Sequence, residues 1–126
     1  MGDNFLIDSN VVSDYFANKF SINGNTFFEN IITERPNISF INQIELLSHN
    51  LPSLSKYKII FKAFEVLGIS DKIIDKTIAI RKSRKIKLTD AIIAATAITL
   101  NLTLITHNLS DFEKIANLKI LDLHSL

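Results

Sequence analysis

Five short apolar runs recur along the chain: "NFLID" at 4–8, "NISFI" at 37–41, "FEVLGI" at 64–69, "LTLIT" at 102–106 and "LKILDL" at 118–123. Each is too short to be a buried helix and is bounded by polar residues, as strands covered on both faces of a parallel sheet are. Between them lie stretches whose apolar residues recur at helical intervals. Parallel neighbours cannot be joined by tight hairpins; they need helical crossovers. The alternation therefore predicts a three-layer α/β/α domain with a mainly parallel central sheet of about five strands.

Expected helices follow from periodicity and breakers. "SNVVSDYFANKF" (9–20) follows the first strand, and Gly24 opens "NTFFENIITE", which Pro36 closes off. "NQIELLSHN" (42–50) is broken at Pro52, "SKYKIIFKAF" resumes the helical period, and Ser70 caps "DKIIDKTIAIRKSRK". The most hydrophobic helix spans 90–101, where Ala91, Ala94, Ala95 and Ala97 permit close packing on more than one side. A short helix around "NLSDFEKI" joins the last two strands.

With 126 residues, 47% hydrophobic and 21% charged, the chain has the size and apolar content of one domain, taken as residues 1–126. A net charge of +1 confines any basic surface to a local patch. The absence of cysteine rules out disulfides and thiolate zinc sites, and suits a reducing cytosol. His49, His107 and His124 are too scattered for a zinc motif and read as bystanders. The N-terminus "MGDNFLID" lacks the positive charge and apolar stretch of a signal peptide, and the apolar run 91–105 is interrupted and shorter than the ~20 residues of a membrane span. A soluble, cytoplasmic protein with no membrane partner is expected.

Ligands of open α/β sheets gather beyond the carboxyl ends of the strands. Asp8, Glu45, Asp71, Asp90 and Asp111 all fall at such places. Taken singly, a cap explains each better: Asn42 and Glu45 have capping-box spacing, Thr89 precedes Asp90, and Asn108 precedes Asp111. A carboxylate in a first turn also complements the helix dipole. Their company changes the balance. Several carboxylates meeting at one sheet edge repel unless a cation neutralises them, and an oxygen-only ligand set suits a hard ion such as Mg2+ or Mn2+.

The blocks "LIDSNVV", "SFINQIELL", "KLTDAIIAATAI" and "LITHNLSDFEKI", in that order over essentially the whole chain, resemble the PIN-domain ribonucleases, and within them the small VapC-like toxins of toxin–antitoxin pairs. The resemblance selects Asp8, Glu45, Asp90 and Asp111 and drops Asp71. It implies that the first three hold a divalent metal, Mg2+ with Mn2+ able to substitute, and that Asp111 completes the acidic pocket, where with Asp8 it would recruit the second ion of a two-ion alternative. Ser9, Asn10, Thr106 and Asn108 would support it by hydrogen bonding. Ser9 stands where threonine is common, which keeps the hydroxyl. The implied activity is metal-dependent endoribonuclease cleavage of RNA, with an antitoxin and a second copy of the chain as partners.

The run "RKSRKIK" places Arg81, Lys82, Arg84, Lys85 and Lys87 just before Asp90. It reads either as a solvated helix end or as a track for RNA phosphates. Tyr15, Phe16, Phe20, Phe27 and Phe28 read as core, with any exposed subset a partner surface. Two readings compete with the nuclease. One is a non-catalytic PIN-like module that binds RNA or protein; the other, an unrelated phosphoacceptor or nucleotide-binding domain, lacks a glycine-rich phosphate loop.

Overall fold

The structure, a computed structural model, describes residues 2–48 and 54–126. Strand β1 (Phe5–Ile7) leads into α1 (Ser9–Phe16) and α2 (Ile22–Ile32); β2 (Asn37–Ser39) leads into α3 (Phe40–Leu47) and α4 (Leu54–Phe61). Strand β3 (Glu65–Leu67) precedes α5 (Asp71–Ser83) and α6 (Leu88–Thr99), and β4 (Thr103–Ile105) is joined by α7 (Leu109–Phe112) to β5 (Lys119–Leu121). Short 3-10 turns flank this order at Gly2–Asn4 and Leu123–Ser125. The expected break at Pro52, and His49, lie outside the described residues.

All four strand pairings are parallel, in the order β3-β2-β1-β4-β5. The sheet is thus wholly parallel, as the alternation predicted. Burial follows position in it: β2 is buried throughout, whereas the edge strands β3 and β5 are largely exposed or half-buried. Successive residues of the central strands serve opposite faces. Ile7 and Ile105 join a cluster with Val12, Phe28, Ile31 and Tyr57, while Leu6 and Leu104 join one with Ile93, Ala94, Ala95 and Phe112. Helices α1, α2 and α4 cover the first face; α5, α6 and α7 cover the second.

Helix α6 is the centre of the second layer. Its residues Ala91 to Ala97 are all buried, and the alanines admit α5 on one side and the sheet on the other. Three expected helix starts differ from those observed. Ser39 caps α3 by accepting from the Ile41 amide, so Asn42 and Glu45 lie inside the helix and form no capping box. Helix α6 begins at Leu88 with Lys87 in the cap position, so Thr89 does not cap it. Helix α2 starts at Ile22, capped by Ser21, with Gly24 in its first turn. A side chain at Gly24 would lie 2.7 Å from the Leu123 carbonyl oxygen, so glycine here allows the C-terminal turn to approach the helix.

Among the described residues no helix is long and apolar enough to cross a membrane. The N-terminal aromatics divide as a core with a rim. Phe20 and Phe28 are buried, while Tyr15, Phe16 and Phe27 pack against the core half-buried.

Candidate active site

In the order β3-β2-β1-β4-β5 the chain runs outward one way from β1 to β3 and the other way from β4 to β5. The reversal falls between β1 and β4, where diverging connections leave a crevice at the strands' carboxyl ends. Asp8 immediately follows β1 and Thr106 immediately follows β4, and the Asp8 amide donates to the Ile105 carbonyl at 2.9 Å.

Asp8 is only 6% exposed and its carboxylate accepts four hydrogen bonds. Oδ2 accepts from Thr106 Oγ1 at 2.8 Å and Asn10 Nδ2 at 3.0 Å; Oδ1 accepts from the Ser9 amide at 2.9 Å and Asn42 Nδ2 at 3.1 Å. The Ser9 bond also caps α1, so Asp8 is both a cap and a site residue. Burial pushes its pKa above the ordinary carboxylate value, against the lowering effect of these four bonds.

Asn42 is the link that the sequence did not reveal as one. It is fully buried, and its Nδ2 stands 3.1 Å from Glu45 Oε1 as well as from Asp8, with Ser9 Oγ at 3.3 Å. The three-residue spacing that suggested a capping box instead puts Asn42 and Glu45 on one helix face, directed at the end of β1. Ser9 Oγ adds a bond to Glu45 Oε1 at 3.4 Å. Asn42 Oδ1 is buried without a protein partner among the described residues.

Asp90 lies in the first turn of α6 and Asp111 in that of α7. The Asp90 carboxyl is pushed up to about 6, first by burial, then by the charge of Asp111 and that of Asp8, opposed by Lys87 and reinforced by Glu45. The other three selected acids therefore all bear on Asp90, after its burial. Asp111 Oδ2 accepts from Asn108 Nδ2 at 2.7 Å, and the Asn108 amide donates to Thr106 Oγ1 at 3.0 Å, tying the fourth acid to the Asp8 network. Asn108 occupies the cap position of α7, but its side chain serves Asp111 and not the helix backbone. Asp71 follows the edge strand β3 and is exposed.

Asp90 and Asp111 form one side of a pocket of about 570 Å³ whose other lining residues include Arg81, Arg84, Lys85, Lys87, Ser110 and Lys114. Arg84 donates to the Lys114 carbonyl, so the α5–α6 connection is fastened to the segment after α7. Lys82, in the last turn of α5, does not line the pocket. A second, mostly apolar groove of about 440 Å³ opens between α1, α2 and α4, lined by Tyr15, Phe16, Phe28, Ile32, Ile59 and Ile60 among others.

The donor set fits a hard divalent ion. Its acids offer only oxygens, burial and then the neighbouring acids raise Asp90, and the buried Asn42 Oδ1 lacks a donor. Among the described residues no three His, Cys, Asp or Glu side chains already stand grouped to hold an ion. Asp8 and Glu45 are held by Asn42, while Asp90 and Asp111 face the basic pocket.

The PIN domain family model matches residues 5–118, and the chain belongs to that family. Among solved structures it is similar to a toxin–antitoxin complex from Klebsiella pneumoniae, with 27% identity and a TM-score of 0.72 over 92% of this chain and 94% of that one. It is also similar to DNA-bound VapBC from Salmonella typhimurium, with 25% identity and a TM-score of 0.77 over 95% of this chain and 98% of that one. FitAcB from Neisseria gonorrhoeae shares the fold, with 22% identity and a TM-score of 0.80 over 97% and 99% of the two chains. No curated protein matches the chain.

Proposed function

We propose that residues 1–126 form one PIN domain acting as a VapC-like toxin, a Mg2+-dependent endoribonuclease restrained by a cognate antitoxin. The observation that carries this reading is the Asp8–Asn42–Glu45 network at the carboxyl end of the sheet, with Asp90 and Asp111 lining a pocket rich in cations. Asp8, Glu45 and Asp90 would hold the ion, and Asp111 would complete the acidic pocket. When bound, a divalent ion supplies water of lowered pKa and neutralises charge on phosphate.

The chain's own residues supply the rest. Thr106, Asn10, Ser9 and Asn42 hold the Asp8 carboxylate in one orientation, so its geometry is set before substrate arrives. Arg81, Arg84, Lys85, Lys87 and Lys114 offer phosphate contacts on the approach to Asp90, and Lys82 contributes only to the field. Water adds to phosphorus, the bond to the 3' oxygen breaks and that oxygen takes a proton, leaving 5'-phosphate and 3'-hydroxyl ends. The groove beside Tyr15, Phe16 and exposed Ile59 suits an apolar antitoxin segment. The Klebsiella neighbour is a toxin–antitoxin complex, which supports an antitoxin as partner.

The test is to incubate the purified chain and its Asp8→Asn variant with total RNA and Mg2+ and map the new ends. Asparagine keeps the cap of α1, so the variant should fold normally and lose cleavage. Equal cleavage by both proteins would remove the nuclease assignment. Binding of RNA with no metal-dependent cleavage would favour the non-catalytic module.

A further inference from the structure

His107 and His124, separated by 17 positions, meet with ring centroids 3.8 Å apart and planes tilted by 32°. Each is bonded to a different carboxylate. His107 Nδ1 lies 3.1 and 3.2 Å from the two oxygens of Asp122, and His124 Nε2 lies 2.8 Å from Asp14 Oδ2. Facing carboxylate oxygens, His107 Nδ1 and His124 Nε2 serve as the donors of these bonds. Asp122 also accepts from the His124 amide at 3.0 Å, and Lys19 stands 3.8 Å from Asp14. Phe20 meets the His124 ring edge-on at 4.9 Å.

This cluster fastens the C-terminal turn, β5 and α1 to the segment 106–108. What it fastens is the support of Asp8. The His107 amide donates to Asn10 Oδ1 at 3.3 Å. That bond fixes which way the Asn10 amide is turned, because with Oδ1 engaged Nδ2 must face the other side. There it donates to Asp8 Oδ2 and approaches Thr106 Oγ1 at 3.4 Å. Reversing the Asn10 amide would set an acceptor oxygen against the Asp8 carboxylate.

We infer that His107 and His124, clasped by Asp122 and Asp14, are positioning residues that hold the Asn10 amide in the orientation Asp8 requires. They touch neither substrate nor ion; they act through the backbone of residue 107. The inference rests on the proposed metal site for only one of its two readouts.

The experiment compares wild type with His107→Ala, His124→Ala, His107→Asn and His124→Gln. Asparagine at 107 offers a donor in place of Nδ1, and glutamine at 124 one in place of Nε2. The first readout is the Asn10 side-chain NH2 signal by NMR in metal-free protein. It should move or broaden in both alanine variants and return towards wild type in the amide variants. The second is the Mn2+ concentration at half-saturation, expected to rise roughly 3–10-fold in the alanine variants, at the lower end of outer-shell effects, with recovery in the amide variants. Circular dichroism identifies any variant that fails to fold, and Asp122→Asn then replaces it as the perturbation. Unmoved Asn10 signals in the folded variants overturn the inference whatever Mn2+ does. A moved signal with no Mn2+ binding by the wild type supports the clasp and sinks the metal reading alone.

Discussion

Asp90 shows how one side chain can be a helix residue and a charged site together. Its carboxyl is raised from 3.8 to about 6, so the native state binds a proton more readily than the unfolded chain does. The associated stability is fully present below the unfolded value and is lost as pH rises through about 6. In metal-free protein the melting temperature should therefore fall across this interval, and Asp90→Asn should flatten the fall. The carboxyl is only half-buried, so solvent screening leaves the gain above pH 6 at roughly 1 kcal/mol, about 4 °C. Melting curves at several pH values check this, and an unchanged slope in the variant would detach Asp90 from the cluster. Asn42→Leu keeps volume but removes the amide shared by Asp8 and Glu45; Mn2+ affinity by calorimetry should drop about tenfold. The acids were legible in the sequence because their blocks are, but Asn42 was not. Its spacing from Glu45 is identical in a capping box and in a shared helix face, and only the position of Ser39 as the true cap separates the two.

At the scale of elements, periodicity located every strand and helix that the structure describes, while boundaries moved wherever a tertiary contact outweighed local preference. Gly24 looked like a helix opener, yet its lack of a side chain serves the Leu123 carbonyl. Helix α6 was expected to be central from its alanines, and the same reasoning predicts its failure mode. Ala94 is fully buried, so Ala94→Leu should overpack the second layer and cost about 1–3 kcal/mol in chemical denaturation. The basic run divides by position. Arg81 and Lys114 line the pocket without anchoring the connection, as Arg84 does, and Lys82 lies apart. Replacing Arg81 and Lys114 with Ala should flatten the dependence of log K for single-stranded RNA on log salt by roughly 0.7 per lost phosphate contact. Lys82→Ala should leave that slope nearly unchanged; equal effects from all three would return the run to a diffuse field.

Over the whole molecule, the alternating pattern predicted a parallel sheet, but strand order and the histidine contacts needed the three-dimensional arrangement. Nothing local relates His124 to Asp14, which is 110 positions away. The same long-range closure draws the ends of β1 and β4, the start of α3 and the starts of α6 and α7 to one edge. A protein that gathers carboxylates at one edge should respond globally to a cation. Binding to the native state alone stabilises by mass action, about 2.7 kcal/mol at a hundredfold excess over Kd, or roughly 8–10 °C for a chain of this length. Mn2+ should therefore raise the melting temperature at pH 7.5, EDTA should reverse the rise, and Asp8→Asn should abolish most of it. At pH 5 the rise should shrink, because protons compete for Asp8 and Asp90, both raised above the ordinary carboxylate value. A rise of equal size in Asp8→Asn, or one indifferent to pH, would place the ion elsewhere and leave the acids to repel one another without a purpose.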